Sequence, residues 1–323
     1  MPASRNRRRT TTRILLASEE QAELSSNPLE TDFERTRDYL VAIDSDGCAF
    51  DTMEIKHKEC FIPNIVKHFE LQAISKYVRE TAEFVNLYSH WRGINRFPAL
   101  IKTLDFLEER PEISARNVRL PKLEGLRDWI DRETRLGNPA LLQAVDETGD
   151  EELQIALEWS IAVNETIDDM VHGVSPFPYV RECLDSLNND VDMIVCSATP
   201  NAALFKEWNE HDIAQYVSAI CGQEAGAKKE TLNQAAEFGY EDDHILMIGD
   251  APGDMNAAQS IGALFYPIIP GAEEESWQRL FQEAIETFLN GTYAGIYEQT
   301  LIDEFDQYLP NVPPWKDSEG NRK

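Results

Sequence analysis

From about residue 1 to 36 the chain is polar and its apolar positions follow no regular period, which predicts a tail holding at most one short helix. An apolar run of strand composition follows at 39–44, Tyr39-Leu-Val-Ala-Ile-Asp44. Between Met53 and about Val174 no strand-like alternation occurs. Val78, Ala82 and Val85, then Leu100, Leu104 and Leu107, then Leu141, Val145, Leu153, Ala156 and Trp159 recur instead at helical spacing. At Pro176-Phe-Pro178 the texture changes again. Pro178 can open a helix through Val180, Leu184 and Leu187. Short strands are expected at 193–197, 218–222, 244–250 and 263–269, with helices starting near Pro200, spanning about 228–238 and passing through Ala257 and Ala258.

The run 244–250 is apolar almost throughout, as a strand buried on both faces requires. Strands alternating with helices predict an α/β fold: a doubly wound parallel sheet, Rossmann-like, with an all-helical domain inserted after its first strand. The expected boundaries are a tail at 1–36, a core built from 37–52 and 176–275, a helical insert at 53–175, and a helical extension at 276–323 packed on the core. Two lobes imply a cleft between them, a common place for a binding site.

Composition narrows what that cleft can serve. Hydrophobic residues at 42%, with aromatics at 9%, suffice for packed cores. The formal charge of −28 argues against partners held along a phosphate backbone, nucleic acid included, and against anionic membranes. Any phosphorylated ligand therefore needs a local positive pocket. Cys48, Cys60, Cys183, Cys196 and Cys221 are odd in number and scattered, the usage of reduced intracellular thiols. With no membrane-length apolar run and no signal-peptide core, a cytoplasmic location is expected. Arg5, Arg7, Arg8, Arg9 and Arg13 start the chain without an acid among them, which reads as a solvated tail. The oligomeric state stays open.

The most informative residues are Asp44 and Asp46, delivered by an apolar strand to a turn at Gly47. Strand alternation can bring both carboxylates to one side at the strand's carboxyl end, where open α/β sheets bind ligands. Like charges that close need a cation or a division of protonation. A calcium loop is excluded, since its fifth and twelfth positions would be Cys48 and Ile55. A solvated Asp-Gly turn is the alternative, and the other strands bear on it. The second ends in Ser197 within Cys196-Ser-Ala-Thr-Pro200, Lys228 and Lys229 follow the third, and the fourth ends in Gly249-Asp250-Ala-Pro-Gly-Asp254. Hard oxygen ligands in small number suit Mg²⁺, and a lysine suits phosphoryl oxygens. The segment 222–228 lacks the Gly-Lys-Ser/Thr ending of a P-loop, and the six histidines share no metal-ligand spacing. His57 and His90 lie in the insert, within possible reach of a substrate, while Cys48 and Cys196 read as buried structural thiols.

In this order the residues closely resemble the haloacid dehalogenase superfamily, in particular its members with a helical cap, similar to β-phosphoglucomutase and phosphoglycolate phosphatase. The family's Asp-x-Asp-Gly matches 44–47 and its frequent Asp-Thr matches Asp51-Thr52. Its strand-ending Ser or Thr matches Ser197, its helix-opening Lys fits Lys228 best, and its Gly-Asp-x-x-x-Asp matches 249–254, followed by Ala-Ala-x-x-x-Gly-Ala at 257–263. The insert stands where the family carries its cap. Within it, Trp91-Arg-Gly-Ile-Asn-Arg96 resembles a Gly-x-Ser-Arg segment of such caps, with Asn95 in place of Ser. On residue spacing alone, Arg92 and Arg96 are equally solvent-facing positions four apart on a helix.

The resemblance implies a Mg²⁺-dependent phosphohydrolase acting on a small phosphorylated metabolite. Asp44 would be the nucleophile and form an aspartyl-phosphate. Asp46, pushed toward its protonated form, would be the acid and later the base. The cation would be held by the Asp44 carboxylate, the Asp46 main-chain carbonyl and Asp250, while Asp254 would orient Lys228 or a metal-bound water. Ser197 and Lys228 would hold phosphoryl oxygens, and Gly47, Ala198, Arg92 and Arg96 would contact substrate. The second acid of the first motif favours a phosphatase or phosphomutase over a dehalogenase. Phosphatase is the expected activity, a β-phosphoglucomutase-type mutase and a catalytically silent binding protein being the alternatives. A binding module would need no complete set of Asp46, Lys228 and Asp250.

Overall fold

The computed structural model describes residues 27–31 and 33–317; the arginine-rich start lies outside them. Five strands, β1 (Tyr39–Ile43), β2 (Val191–Cys196), β3 (Ala219–Cys221), β4 (Ile245–Gly249) and β5 (Leu264–Pro267), form one sheet in the order β3-β2-β1-β4-β5. Every pairing is parallel. Alternate residues feed two separate cores. Val41 and Ile43 pack with Leu184, Trp208, Trp277 and Phe288 on one face, whereas Leu40 and Ala42 pack with Leu232, Ala235, Ala258 and Phe305 on the other. Burial on both sides explains why the strands read as unbroken apolar runs.

β2 carries one exception, Asp192, which is 3% exposed. Its carboxylate accepts from Thr36 N at 2.8 Å, Thr36 Oγ1 at 2.6 Å, Arg37 N at 2.9 Å and Tyr240 Oη at 2.6 Å. A buried acid with four donors pins the approach to β1. The core also begins before residue 37. A helix at Pro28–Thr31 sets Leu29, with Phe33 just beyond it, into the same cluster as Leu40 and Ala42. Two apolar anchors in nine residues are too few to show a period, so the sequence places this stretch in the tail.

Inserted between β1 and β2, the cap is helical throughout. Helices Ser75–Leu87, Arg96–Glu108, Glu124–Arg132, Asn138–Thr148 and Glu151–Met170 surround their own core of Phe97, Leu100, Leu104, Trp129 and Trp159. Entry is through helix Thr52–Ile55, a π-helical turn Lys56–Phe61 and helix Ile62–His68. Pro63 has no N–H for the ladder and its ring crowds the preceding turn, which the wider π turn relieves. The two linkers run side by side: Phe177 N donates to the Ala49 carbonyl at 2.9 Å, and Phe50 bridges Pro176.

After β5 the chain covers the first face through Glu273–Arg279, a π turn Leu280–Ala284 and Ile285–Leu289, then lays Ile296–Tyr308 against the other. These helices carry the chain along the core as far as Leu309. Beyond it, 310–313 cross to the cap, where helix Pro314–Asp317 docks. Trp315 lies edge-on to Phe84 at 5.5 Å and 4.4 Å from the Arg110 guanidinium, and Lys316 pairs with Glu109 at 2.5 Å. This strap is a third connection between the lobes. Trp315→Ala is expected to lower stability by about 2 kcal/mol, most of it from lost apolar contact. Denaturant unfolding would measure this, and a change below about 0.5 kcal/mol would mean the strap carries no weight.

Candidate active site

Asp44 and Asp46 follow β1 directly, Ser197 follows β2, Lys228 opens helix Lys228–Ala236, and Asp250 follows β4. Because β1 lies between β2 and β4, these groups meet at the strands' carboxyl ends, under the cap. Asp44 is 5% exposed, Asp250 1% and Asp254 0%, and one carboxylate oxygen of each lies within 4.8 Å of the others. Lys228 Nζ stands 2.7 Å from Asp44 Oδ2 and donates to Asp254 Oδ1 at 2.5 Å. Lys229 is exposed, so Lys228 is the lysine of the site. Asp254 Oδ2 accepts from the backbone N–H groups of Asp250 and Ala251, at 3.2 and 3.0 Å, and so fixes the turn that presents Asp250. Gly249 allows this approach: a Cβ there would meet the Asp254 Cβ at 2.4 Å.

Burial works to lower the Lys228 pKa, but the carboxylates of Asp254 and Asp44 outweigh it and hold the lysine well above its ordinary value. Burial likewise raises Asp250 to about 8 despite Arg92, and Asp254 to about 6 despite Lys228. Such crowded, desolvated acids suit a cation. Asp250 Oδ1 is buried with no hydrogen-bond partner, an orphan that a hard divalent ion would satisfy. Asp44 and Asp250 can supply oxygens to Mg²⁺, whereas both oxygens of Asp254 are already committed. The Asp46 side chain is no part of this cluster.

Asp46 is instead gripped from three sides. Oδ1 accepts from Thr52 Oγ1 and from Lys56 Nζ, each at 2.5 Å, and Oδ2 accepts from Thr199 Oγ1 at 2.6 Å. Burial alone would raise its pKa; the Lys56 charge and these hydrogen bonds outweigh it and hold Asp46 at about 2. The expected protonated Asp46 is therefore reversed in this arrangement: the carboxylate is ionised, with a cap lysine as counter-ion. Beside it, burial and the Asp46 charge push Glu207 up to about 7. Glu207 Oε2 accepts from Ser45 Oγ at 3.0 Å, and that hydroxyl accepts from Trp208 Nε1 at 3.0 Å.

The remaining expected residues divide. Ser197 is 4% exposed, its Oγ accepting from Thr199 N at 3.3 Å, and Ala198 is exposed at the same loop. Gly47 takes φ +76° and donates its N–H to the Phe50 carbonyl at 2.8 Å, so that amide is engaged within the loop. Arg92 and Arg96 do not share a helix. Arg92 lies in the preceding loop, and Asn95 caps the helix that Arg96 begins, accepting from Phe97 N at 3.0 Å. Arg96 Nη1 donates to the Ser160 carbonyl at 3.2 Å, Ser160 Oγ at 3.0 Å and Asn164 Oδ1 at 2.7 Å, all within the cap. Burial lowers it to about 10. Arg92 reaches the core and pairs with Asp250. His57 stacks on Phe61 at 4.7 Å, and burial drives it to about 3, hence neutral; His90 is exposed. All five cysteines are free and buried, and burial pushes the Cys48 and Cys196 thiols up.

Lys56, Thr199 and Glu207 are not singled out by the sequence. Thr52 and Lys56 are detectable there as a donor pair four apart on a helix that begins beside the acids. Thr199 and Glu207 show themselves only once β1 and β2 are neighbours.

Residues 131–267 match the family model of the haloacid dehalogenase-like hydrolases, a stretch that includes Ser197, Lys228, Asp250 and Asp254. Over this stretch, somewhat under half of its length, the chain is similar to the haloacid dehalogenase-like hydrolases. No curated protein matches it. Among solved structures it is similar to β-phosphoglucomutase from Clostridium difficile, with 16% identity and a TM-score of 0.46 over 79% of this chain and 98% of that one. It is also similar to a haloacid dehalogenase-like family hydrolase from Xanthomonas campestris (12%, 0.44, covering 81% and 98%). A predicted phosphoglycolate phosphatase from Haemophilus somnus gives 14%, 0.41, and coverage of 74% and 92%.

The depressed Asp46 pKa has a stability consequence. A carboxylate at about 2 in the folded chain, against an ordinary value of 3.8, stabilises the fold above that ordinary value and loses the effect as pH falls toward 2. The shift corresponds to about 2 kcal/mol. Acid unfolding of wild type should therefore show a loss between about pH 4 and 2, on the order of this size, that is absent from Asp46→Asn. Parallel curves for the two proteins would mean that Lys56 does not hold Asp46 in solution.

Proposed function

We propose that this chain is a Mg²⁺-dependent phosphatase acting on a small phosphorylated metabolite through an aspartyl-phosphate. The observation that carries this reading is the contact of Lys228 with Asp44 inside a buried acidic cluster, 2.7 Å from Nζ to Oδ2. The lysine holds the Asp44 carboxylate in position and supplies positive charge where a phosphoryl group would arrive. The bound cation would neutralise charge between two anions that otherwise repel.

Asp44 attacks phosphorus in line with the leaving oxygen; the P–O bond to the leaving alcohol breaks as the Asp44–phosphorus bond forms. Lys228 and Ser197 hold the non-bridging oxygens. In the second step the ionised Asp46 removes a proton from water, which attacks the acyl-phosphate and releases phosphate while Asp44 is regenerated. Its ionised form is the one a base needs, and release from Lys56 would restore the basicity that the ion pair suppresses. Protonating the leaving alcohol in the first step requires Asp46 to exchange Lys56 for a proton, and Lys56 rides on the first helical turns of the cap, so a cap movement can make that exchange. A closed cap would also keep bulk water from the intermediate.

Phosphate release from a panel of small phosphomonoesters, with Mg²⁺ and with chelator, tests this. Activity should need Mg²⁺ and fall at least roughly a thousandfold in Asp44→Asn. Release that survives the substitution would discard Asp44 as nucleophile. No release, accompanied by isomerisation of a sugar phosphate, would make the chain a phosphomutase.

A further inference from the structure

The cap touches the acidic cluster through Arg92. The residue is 2% exposed, and its Nε donates to Asp250 Oδ2 at 2.6 Å while Nη2 stands 2.6 Å from the same oxygen. Nη1 donates to the Leu87 carbonyl at 2.8 Å, which ties the guanidinium to the cap. A Cβ on Gly47 would lie 2.4 Å from Arg92 Nη2 and 2.8 Å from Asp250 Oδ2. Arginine and acid are thus packed together against the residue that follows Asp46. Only a glycine leaves room for them there.

We infer that Arg92 and a divalent cation are competing partners of Asp250, so that cation binding loosens the cap's guanidinium from the core. This rests on the metal-site reading above. Charge supports it. Asp44, Asp250 and Asp254 against Lys228 alone leave two formal negative charges, which one divalent cation cancels. Arg92 already removes one of them, so cation and guanidinium together leave the pocket positive.

The alternative is that Arg92 helps the cation by turning Asp250 toward it. Holding a ligating carboxylate in place is typically worth ten- to a hundredfold in metal affinity. Two positive groups sharing one desolvated carboxylate repel at a few ångströms with little screening, a larger effect of opposite sign. Repulsion should win. Arg92 therefore acts as a latch that is fastened to Asp250 and weakened by the cation, and it is a positioning residue rather than a catalytic one.

Calorimetric titration of Mg²⁺ into chelator-treated full-length protein reads the effect directly. Arg92→Ala should bind Mg²⁺ at least about tenfold tighter than wild type, and Arg92→Gln, closer in shape and also uncharged, should do the same. Arg92→Lys keeps the charge and should stay within about threefold. Thermal unfolding supplies a second readout: Mg²⁺ should raise the Tm of Arg92→Ala more than that of wild type. Unchanged or weaker Mg²⁺ binding in both uncharged variants overturns the inference. If wild type still binds Mg²⁺ and Asp44→Asn does not, the metal-site reading survives that failure. If neither wild type nor any Arg92 variant binds Mg²⁺, both fall together.

Discussion

One ammonium group makes the acidic end of this sheet possible. Asp44 and Asp254 come from distant parts of the chain, are almost wholly removed from water, and would repel each other without Lys228 between them. The lysine can stand there because helix Lys228–Ala236 starts against the end of β2, next to β1 in the sheet, and because Gly249 lets Asp254 fold back under the strand. Everything that gives the site its character follows. The acids are buried, Asp250 is left with an oxygen lacking any partner, and the chemistry gathers at the sheet's carboxyl edge.

The second organising principle is that core and cap keep separate apolar interiors. Around the site they meet through charge: Lys56 with Asp46 and Arg92 with Asp250. In both pairs the cation belongs to the cap and the acid to the core. In a chain of net charge −28, this places scarce positive charge where an anion would bind. It also makes the seating of the cap sensitive to whatever ions enter the cleft.

Much of this is legible in the sequence, for reasons that can be named. A parallel sheet buried on both faces writes itself as short apolar runs, and β1, β2, β4 and β5 lie within about two residues of the ends expected for them. Asp44, Lys228, Asp250 and Asp254 are legible because each closes or follows a strand in a fixed spacing. The state of Asp46 is not, since its counter-ion Lys56 is one of many charged residues on a helical surface until the hinge brings it back over β1. Arg92 is hidden for a related reason. Regular spacing from Arg96 suggests a shared helix, but Gly93 and the Asn95 cap interrupt it and turn Arg92 inward. Contacts between lobes have no sequence period to betray them.

The strap at the carboxyl end changes the mechanics of the cap. Two adjacent linkers define an axis, and a lobe hung on them alone could swing widely about it. Trp315 adds a third attachment, against Phe84 and Arg110, so the lobe behaves like a door on a safety chain. The bridge 310–313 is four residues long, and fully extended it reaches only about 14 Å. As long as Trp315 keeps its seat, that length limits how far this part of the cap can part from the core.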